Sequence, residues 1–170
     1  MRGILNGTSN YILTQMESGL PYADALADAQ RLGYAEADPT ADVEGFDAAG
    51  KLIILANIVL GHKIALADVA CEGITKITPD AIESARASGE RWKLIAQATI
   101  DEQGKLTASV KPERLPLSDP LAGVSGGMNA ITYQTDLIGP VTLIGAGAGG
   151  KATGFALLSD LLALHRGERS

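Results

Sequence analysis

Apolar positions change their rhythm along this chain, at helical spacing as far as about Gly61 and in strand-length blocks from Trp92 onward. The opening MRGILNGTSNYILTQME passes from a short apolar run through Asn6, Gly7 and Thr8 into a helical pattern of Tyr11, Ile12 and Met16. Thr8 or Ser9 is expected to cap that helix and Gly19 to end it. Pro21 starts a second helix, with Leu26, Ala29 and Leu32 on one face and Gly33 as its stop. FDAAGKLIILANIVLG predicts a nearly all-apolar helix, which by composition belongs in the centre of the fold. VACEGITKI reads as a strand, and TPDAIESARASG as a helix capped by Thr78 with Pro79 in its first turn. WKLIAQATI and KLTASVKPERL predict a hairpin around a turn at Asp101 to Gly104, with Trp92 as a core anchor. SDPLAGVSGGMNAITYQTDLIG is glycine-rich between short apolar runs. PVTLIGAGAGGKATGFALLSDLLALHRGER then closes the chain as strand, glycine turn and helix, with HRGERS as a frayed tail. Helices first and hairpins later predict an α+β fold, a mainly antiparallel or mixed sheet with helices on one face.

At 170 residues and 46% hydrophobic content the chain can bury a real core, and residues 1–170 are read as one domain. A net charge of -6 without a basic stripe argues against nucleic acid as the main partner. The longest uncharged stretch around the apolar helix, Leu52 to Gly61, is far short of the roughly 20 residues that cross a bilayer. With no basic segment and apolar run to open the chain, and Cys71 as its single cysteine, a cytoplasmic setting and no membrane partner are expected. Cys71 reads as a strand position rather than a nucleophile. His62 and His165 have no metal-ligand spacing around them, so they read as structural and no metal is expected.

The densest chemistry lies in GYAEADPTADVEGFDAAGK, from Gly33 to Lys51, where Glu36, Asp38, Asp42, Glu44 and Asp47 precede one lysine. Carboxylates so crowded repel one another and raise their proton affinity unless a cation sits among them. Lys51 is one candidate for that cation, and the ammonium of an amino-acid substrate is another. Asp47 and Lys51 are four residues apart on one helix face, which by itself describes an ordinary surface ion pair worth about 0.3 to 0.5 kcal/mol. The position of Lys51, abutting the most apolar stretch of the chain, also suits an ammonium that donates a proton.

Gly145, Gly147 and Gly150 fit the dinucleotide-binding fingerprint literally, after a strand and before a helix. The true motif opens a βαβ unit and needs an acidic residue on a second strand about 20 residues further on. Only twenty residues follow Gly150, and they read as a helix and a charged tail. The turn therefore builds no nucleotide fold of its own, although its bare backbone can approach a cofactor or substrate closely.

Three stretches in order, ILNGTSNYIL, LGYAEADPTADVEGFDAAGKLIILA and GAGAGGKATGFALLSDLL, resemble homoserine dehydrogenase over about Gly3 to Leu164. In that family a Rossmann domain that binds NAD or NADP precedes an α+β domain carrying the homoserine pocket and the dimer interface, and the likeness is to the second part only. The resemblance implies reversible conversion of L-aspartate 4-semialdehyde and L-homoserine, a step toward threonine, methionine and isoleucine. It assigns Lys51 as proton donor, Glu36 and Asp47 as substrate-binding residues, and Gly33 and Gly149 as backbone positions beside the nicotinamide. Asp42 is added as a supporting carboxylate, with Asp38 and Glu44 expected in solvent. It also implies a homodimer; apart from the resemblance, the hairpin from Trp92 to Leu115 offers strands to pair across a twofold axis, since closed symmetric dimers are the commonest oligomers. Residues 140–170 would contact the missing nucleotide-binding domain, so the chain is expected to be inactive alone. Met1 then marks a truncated product, an isolated domain or a misassigned start. A reading from another class is a non-catalytic dimerisation or amino-acid-binding module that keeps the fold.

Overall fold

The computed structural model of the chain describes residues 1–167; Glu168, Arg169 and Ser170, the end of the predicted tail, lie outside the described residues. The sheet is organised by one long hairpin, β3 (Glu90–Ile100) and β4 (Leu106–Pro116), antiparallel throughout from Glu90 opposite Pro116 to Ile100 opposite Leu106. Its turn is the predicted one: Asp101 Oδ1 accepts from the backbone N–H groups of Gln103 and Lys105, and Gly104 takes the positive φ of 78°. Around the hairpin the six strands run in the order β2-β4-β3-β1-β5-β6. β1 (Arg2–Ile4) lies antiparallel to both β3 and β5 (Met128–Gln134), and β6 (Pro140–Ala146) forms one edge antiparallel to β5. β2 (Val69–Cys71) is parallel to β4 at the other edge. The mixed, mainly antiparallel sheet is the one the sequence predicts, but β1, at its centre, was read only as an apolar run because three residues are too few to show alternation.

Helices α1 (Gly7–Glu17), α4 (Phe46–Val59) and α5 (Pro79–Ala87) pack on β3. Leu94, Ala96 and Ala98 of β3 join Ile12, Leu13 and Leu52 in the larger core cluster. Alternation along β3 turns Ile95 the other way, where it packs with Ile4, Leu115 and Ala130 under Leu121, Ala122 and Val124 of the β4–β5 connection. Helices thus cover one face, as expected, and a loop covers part of the other.

Several local expectations are corrected. Asn6, not Thr8 or Ser9, caps α1, its side chain accepting from the Ser9 N–H. In α2 (Tyr22–Arg31) the buried stripe is Ala25 and Ala29, while Leu32 is exposed, because the close contact with α1 admits small side chains. A four-residue helix, α3 (Thr40–Val43), interrupts the acidic segment. α4 is not central: Ala48, Ala49, Leu52 and Ala56 are buried, but Ile54, Ile58 and Val59 face outward. The strand expected through VACEGITKI is only Val69–Cys71, and Ile74 and Ile77 are buried from a loop instead. α5 keeps its expected Thr78 cap, and Trp92, partly buried against the core, donates from Nε1 to the Ala81 carbonyl at 3.0 Å. β1 lies beside β3 only at Ala96 and Gln97, and β2 beside β4 only from Ala108 to Val110, so among the described residues the rest of the hairpin's outer edges carry no strand.

Strand, glycine turn and helix close the described chain, with α6 (Gly150–Arg166) extending through His165 and Arg166, which the sequence reading had assigned to a tail. No residue of α6 is buried, and Phe155, Leu157, Leu161 and Leu164 are exposed. The glycine fingerprint fails for a topological reason as well, since β6 is an antiparallel edge strand where the motif needs a parallel one. Among the described residues no helix is long and apolar enough to cross a membrane.

Candidate active site

The acidic segment is folded by its own turns. Asp38 is exposed, as expected; its Oδ1 accepts from the backbone and hydroxyl of Thr40 at 3.1 and 2.6 Å at the start of α3, and the two Thr40 bonds hold its pKa below the usual range. Gly45, at φ 86°, makes the sharp passage from α3 to α4, lying so close to Val110 and Cys71 that a Cβ would meet them at 3.1 and 3.2 Å. Glu44, also expected in solvent, is half-buried and accepts from the Thr75 hydroxyl at 3.1 Å. The turn at Gly45 sets Asp42 at the end of α3 near Asp47 in the first turn of α4, where the helix dipole favours a carboxylate.

Lys51 Nζ donates to Asp47 Oδ2 at 2.7 Å and to the Leu5 carbonyl at 3.1 Å. Asn6 Nδ2 donates to Asp42 Oδ1 at 2.6 Å and to Asp47 Oδ2 at 2.9 Å. Burial raises the pKa of Asp42, the bond from Asn6 lowers it, the charge of Asp47 raises it, Lys51 lowers it and Glu36 raises it again. The Asp47–Lys51 side chains are 35% and 45% exposed, so their attraction adds little stability. What the arrangement provides is an accessible ammonium aimed by an anion and a carbonyl.

These groups line a cleft of about 440 Å³ together with Gly7, Thr8, Gly33, Tyr34, Gly127, Asn129 and the turn Gly147–Gly149. Asp42, Asp47, Lys51, Gly33 and Gly149 therefore come together as the sequence predicts. Glu36 does not join the lining; it is exposed, and its carbonyl accepts from Gln30 Nε2 at 3.0 Å. Its charge still reaches Asp42.

Sequence reasoning missed Asn6, Thr8, Tyr34 and Asn129. Thr8 donates to the Tyr34 carbonyl at 2.6 Å, and the Tyr34 ring stacks on Tyr11 with centroids 4.7 Å apart. Asn129 Nδ2 donates to the same Leu5 carbonyl at 3.3 Å, while its buried Oδ1 has no partner among the described residues. Gly147 lies so close that an added Cβ would fall 2.1 Å from Asn129 Nδ2. The signal was present in ILNGTSNYIL and MNAI, but neutral amides do not announce a site as clustered acids do.

Gly33 and Gly149 both line the cleft at positive φ, and a Cβ at either would meet nothing within 4 Å, so the backbone conformation rather than crowding calls for glycine at both positions. Cys71 is half-buried on an edge strand, its thiol pKa raised by burial, and donates to the Glu44 carbonyl at 3.4 Å. His62 links the Leu60 and Gly104 carbonyls at 2.8 and 3.2 Å. Both positions are structural. Among the described residues no group of three His, Cys, Asp or Glu side chains is placed to hold a metal ion.

The family model described as homoserine dehydrogenase matches residues 1–162. The chain belongs to the homoserine dehydrogenase family. An NAD(+)-dependent homoserine dehydrogenase of Pseudomonas canavaninivorans is 52% identical over 164 residues, 96% of this chain and 47% of that protein. Homoserine dehydrogenase of Methanocaldococcus jannaschii is 45% identical over 97% of this chain and 48% of its own length. Among solved structures, Staphylococcus aureus homoserine dehydrogenase superposes with a TM-score of 0.90 at 43% identity, covering 96% of this chain and 42% of that one. A hyperthermophilic archaeal homoserine dehydrogenase in complex with NADPH gives 0.75 at 31% identity, over 95% of this chain and 46% of that one. The chain spans about half the length of the homoserine dehydrogenases it matches, or less.

Proposed function

We propose that this chain is the substrate-binding and catalytic part of a homoserine dehydrogenase, interconverting L-aspartate 4-semialdehyde and L-homoserine on the route to threonine, methionine and isoleucine. The observation that carries the reading is the contact of Lys51 Nζ with Asp47 and the Leu5 carbonyl in a cleft closed by the Gly147–Gly149 turn. NAD or NADP would supply the hydride in reduction and take it back in oxidation, with Gly33 and Gly149 beside its ring. As negative charge grows on the aldehyde oxygen, the Lys51 ammonium stabilises it and then transfers a proton from Nζ to that oxygen, leaving a hydroxyl. Asp47 keeps the ammonium oriented toward the reacting oxygen. Glu36, outside the cleft lining but with its charge reaching Asp42, pairs with the substrate ammonium, and Asp42 supports the same negative field. In the oxidation direction Lys51, having lost its proton to solvent, accepts one from the hydroxyl as hydride leaves.

The same reading makes the cofactor's main contacts the work of a nucleotide-binding part, to which residues 140–170 would attach, and predicts negligible turnover by the 170 residues alone. A homodimer in the cytoplasm belongs to the proposal too, and strand addition in such a dimer would use the hairpin from Trp92 to Leu115 or the outer edge of β6. Calorimetry of the chain with L-homoserine tests the substrate. Binding that weakens in Glu36→Gln supports it; no binding from a folded, dimeric chain would leave a scaffold without a substrate site.

A further inference from the structure

Asn6 is only 4% exposed, and each polar atom of its side chain is committed. Oδ1 accepts from the Ser9 N–H at 2.7 Å and so closes the first turn of α1. Nδ2 carries two hydrogens, and one carboxylate accepts each: Asp42 at 2.6 Å and Asp47 at 2.9 Å. The partners fix which end of the amide is oxygen, because a backbone N–H requires an acceptor and two carboxylates require a donor. Asp47 Oδ2, the oxygen reached by Asn6, is also the oxygen that accepts from Lys51 Nζ.

We infer that Asn6 is a positioning residue for the proton donor, one neutral amide holding Asp42 and Asp47 side by side and so fixing the oxygen against which Lys51 is aimed. The inference rests on the homoserine dehydrogenase reading of Lys51. Helix capping alone does not explain the residue. Serine, threonine and aspartate cap helices about as well. A hydroxyl, however, has one hydrogen to give, and an aspartate has none while adding a third negative charge to the pair. Asparagine is the side chain of that capping set that offers one acceptor and two donors in a single plane. Buried as it is, its place between the carboxylates is not easily taken by water.

The test uses the 170-residue chain, its Asn6→Asp and Asn6→Ser variants, and three NMR signals: the Ser9 amide, the Asp42 carboxyl and the Lys51 ammonium. Both variants should keep the Ser9 amide protected, since both can cap α1. In Asn6→Asp the Asp42 titration should move to higher pH than in the parent, because a donor is lost and a charge is gained. In both variants the Lys51 ammonium protons should exchange with water about fivefold faster, the size of one lost hydrogen bond. An Asp42 midpoint and a Lys51 exchange rate unchanged in Asn6→Asp, with Ser9 still protected, would reduce Asn6 to a cap and overturn the inference. If Asn6→Asp does not fold, the Lys51 exchange rate in Asn6→Ser decides by itself. None of these signals needs turnover, so failure of the parent chain to bind L-homoserine would remove the proposed substrate while leaving the clamp to be judged separately.

Discussion

At its N-terminal end α1 meets Lys51, whose side chain keeps 45% of its surface and whose amine lies 2.7 Å from Asp47. At the other end of the helix lies Lys93 of β3, fully buried, with Nζ 3.3 Å from Asn10 Oδ1 and 3.7 Å from Glu17 Oε1. Burial lowers the pKa of Lys93, and Glu17 pushes it back up. Asn10 in turn donates to the Val124 and Met128 carbonyls, tying the lysine to the β4–β5 connection. The tightly sequestered lysine is out of reach of any substrate, whereas the looser one opens into the cleft. A charge withdrawn from water need not mark a site; here access and aim mark it better than burial does.

Substitutions at the two lysines should separate these roles. In the enzyme assembled with a nucleotide-binding part, Lys51→Ala should lower turnover about 10²- to 10⁴-fold in a steady-state assay, the usual range for a general acid. Its denaturant midpoint should stay near the parent's, because a solvated ion pair contributes little. Turnover within tenfold of the parent would end the comparison, since Lys51 would then be no more chemical than Lys93. Lys93→Ala should do the reverse and destabilise the fold by about 3 kcal/mol in urea unfolding at pH 7, because it takes the donor from Asn10 Oδ1 and leaves Glu17 with only the more exposed Arg91 at 3.6 Å. Replacing both, as Lys93→Met with Glu17→Leu, should recover most of that loss. A single variant as stable as the parent would show that the pair is not what holds this end of α1.

The smallest effect sharpens the N-terminal end. Burial raises the Asp42 pKa above its ordinary 3.8, so protonation of this group favours the folded chain. That stabilising contribution is fully present below pH 3.8 and is lost as pH rises through the raised folded midpoint. Asp42→Asn removes the titration while keeping an oxygen that can accept from Asn6. Its stability relative to the parent should therefore grow as pH rises through that window and level off above it, measured by urea unfolding at several pH values. The lowered carboxyls of Asp28 and Asp38, which lose stability as pH falls, are common to both proteins and cancel in the difference. A difference independent of pH would show that burial does not control this carboxyl.

Legibility in the sequence followed the length and charge of each signal. The hairpin and the α5 cap were readable because eleven-residue strands and a Thr-Pro start carry their own local chemistry. β1 was missed because a three-residue strand has no period, although it is the piece that joins both halves of the sheet. α4 misled for a different reason: its composition is apolar all round, yet only one side of it is covered, and Ile54 and Ile58 remain exposed. Within the site, five acids and a lysine in nineteen residues were visible at once, and Asp42, Asp47 and Lys51 do meet. Asn6 is an ordinary amide until the fold brings Asp42 and Asp47 to it, Asn129 is one until the sheet brings it to Leu5, and Lys93 passed for a routine strand residue.

The Leu5 carbonyl accepts from Lys51 and from Asn129, residues 46 and 124 positions further along the chain. Contacts that distant in sequence form only after the intervening segments have given up most of their freedom. On a ribosome, a nascent chain ending before Asn129 would carry helices α1 to α5, the hairpin and the acid-lined wall, but no Asn129 contact at this carbonyl. Hydrogen bonding at the Leu5 carbonyl is in that sense a checkpoint on the completed sheet, satisfied only after β5 has docked beside β1.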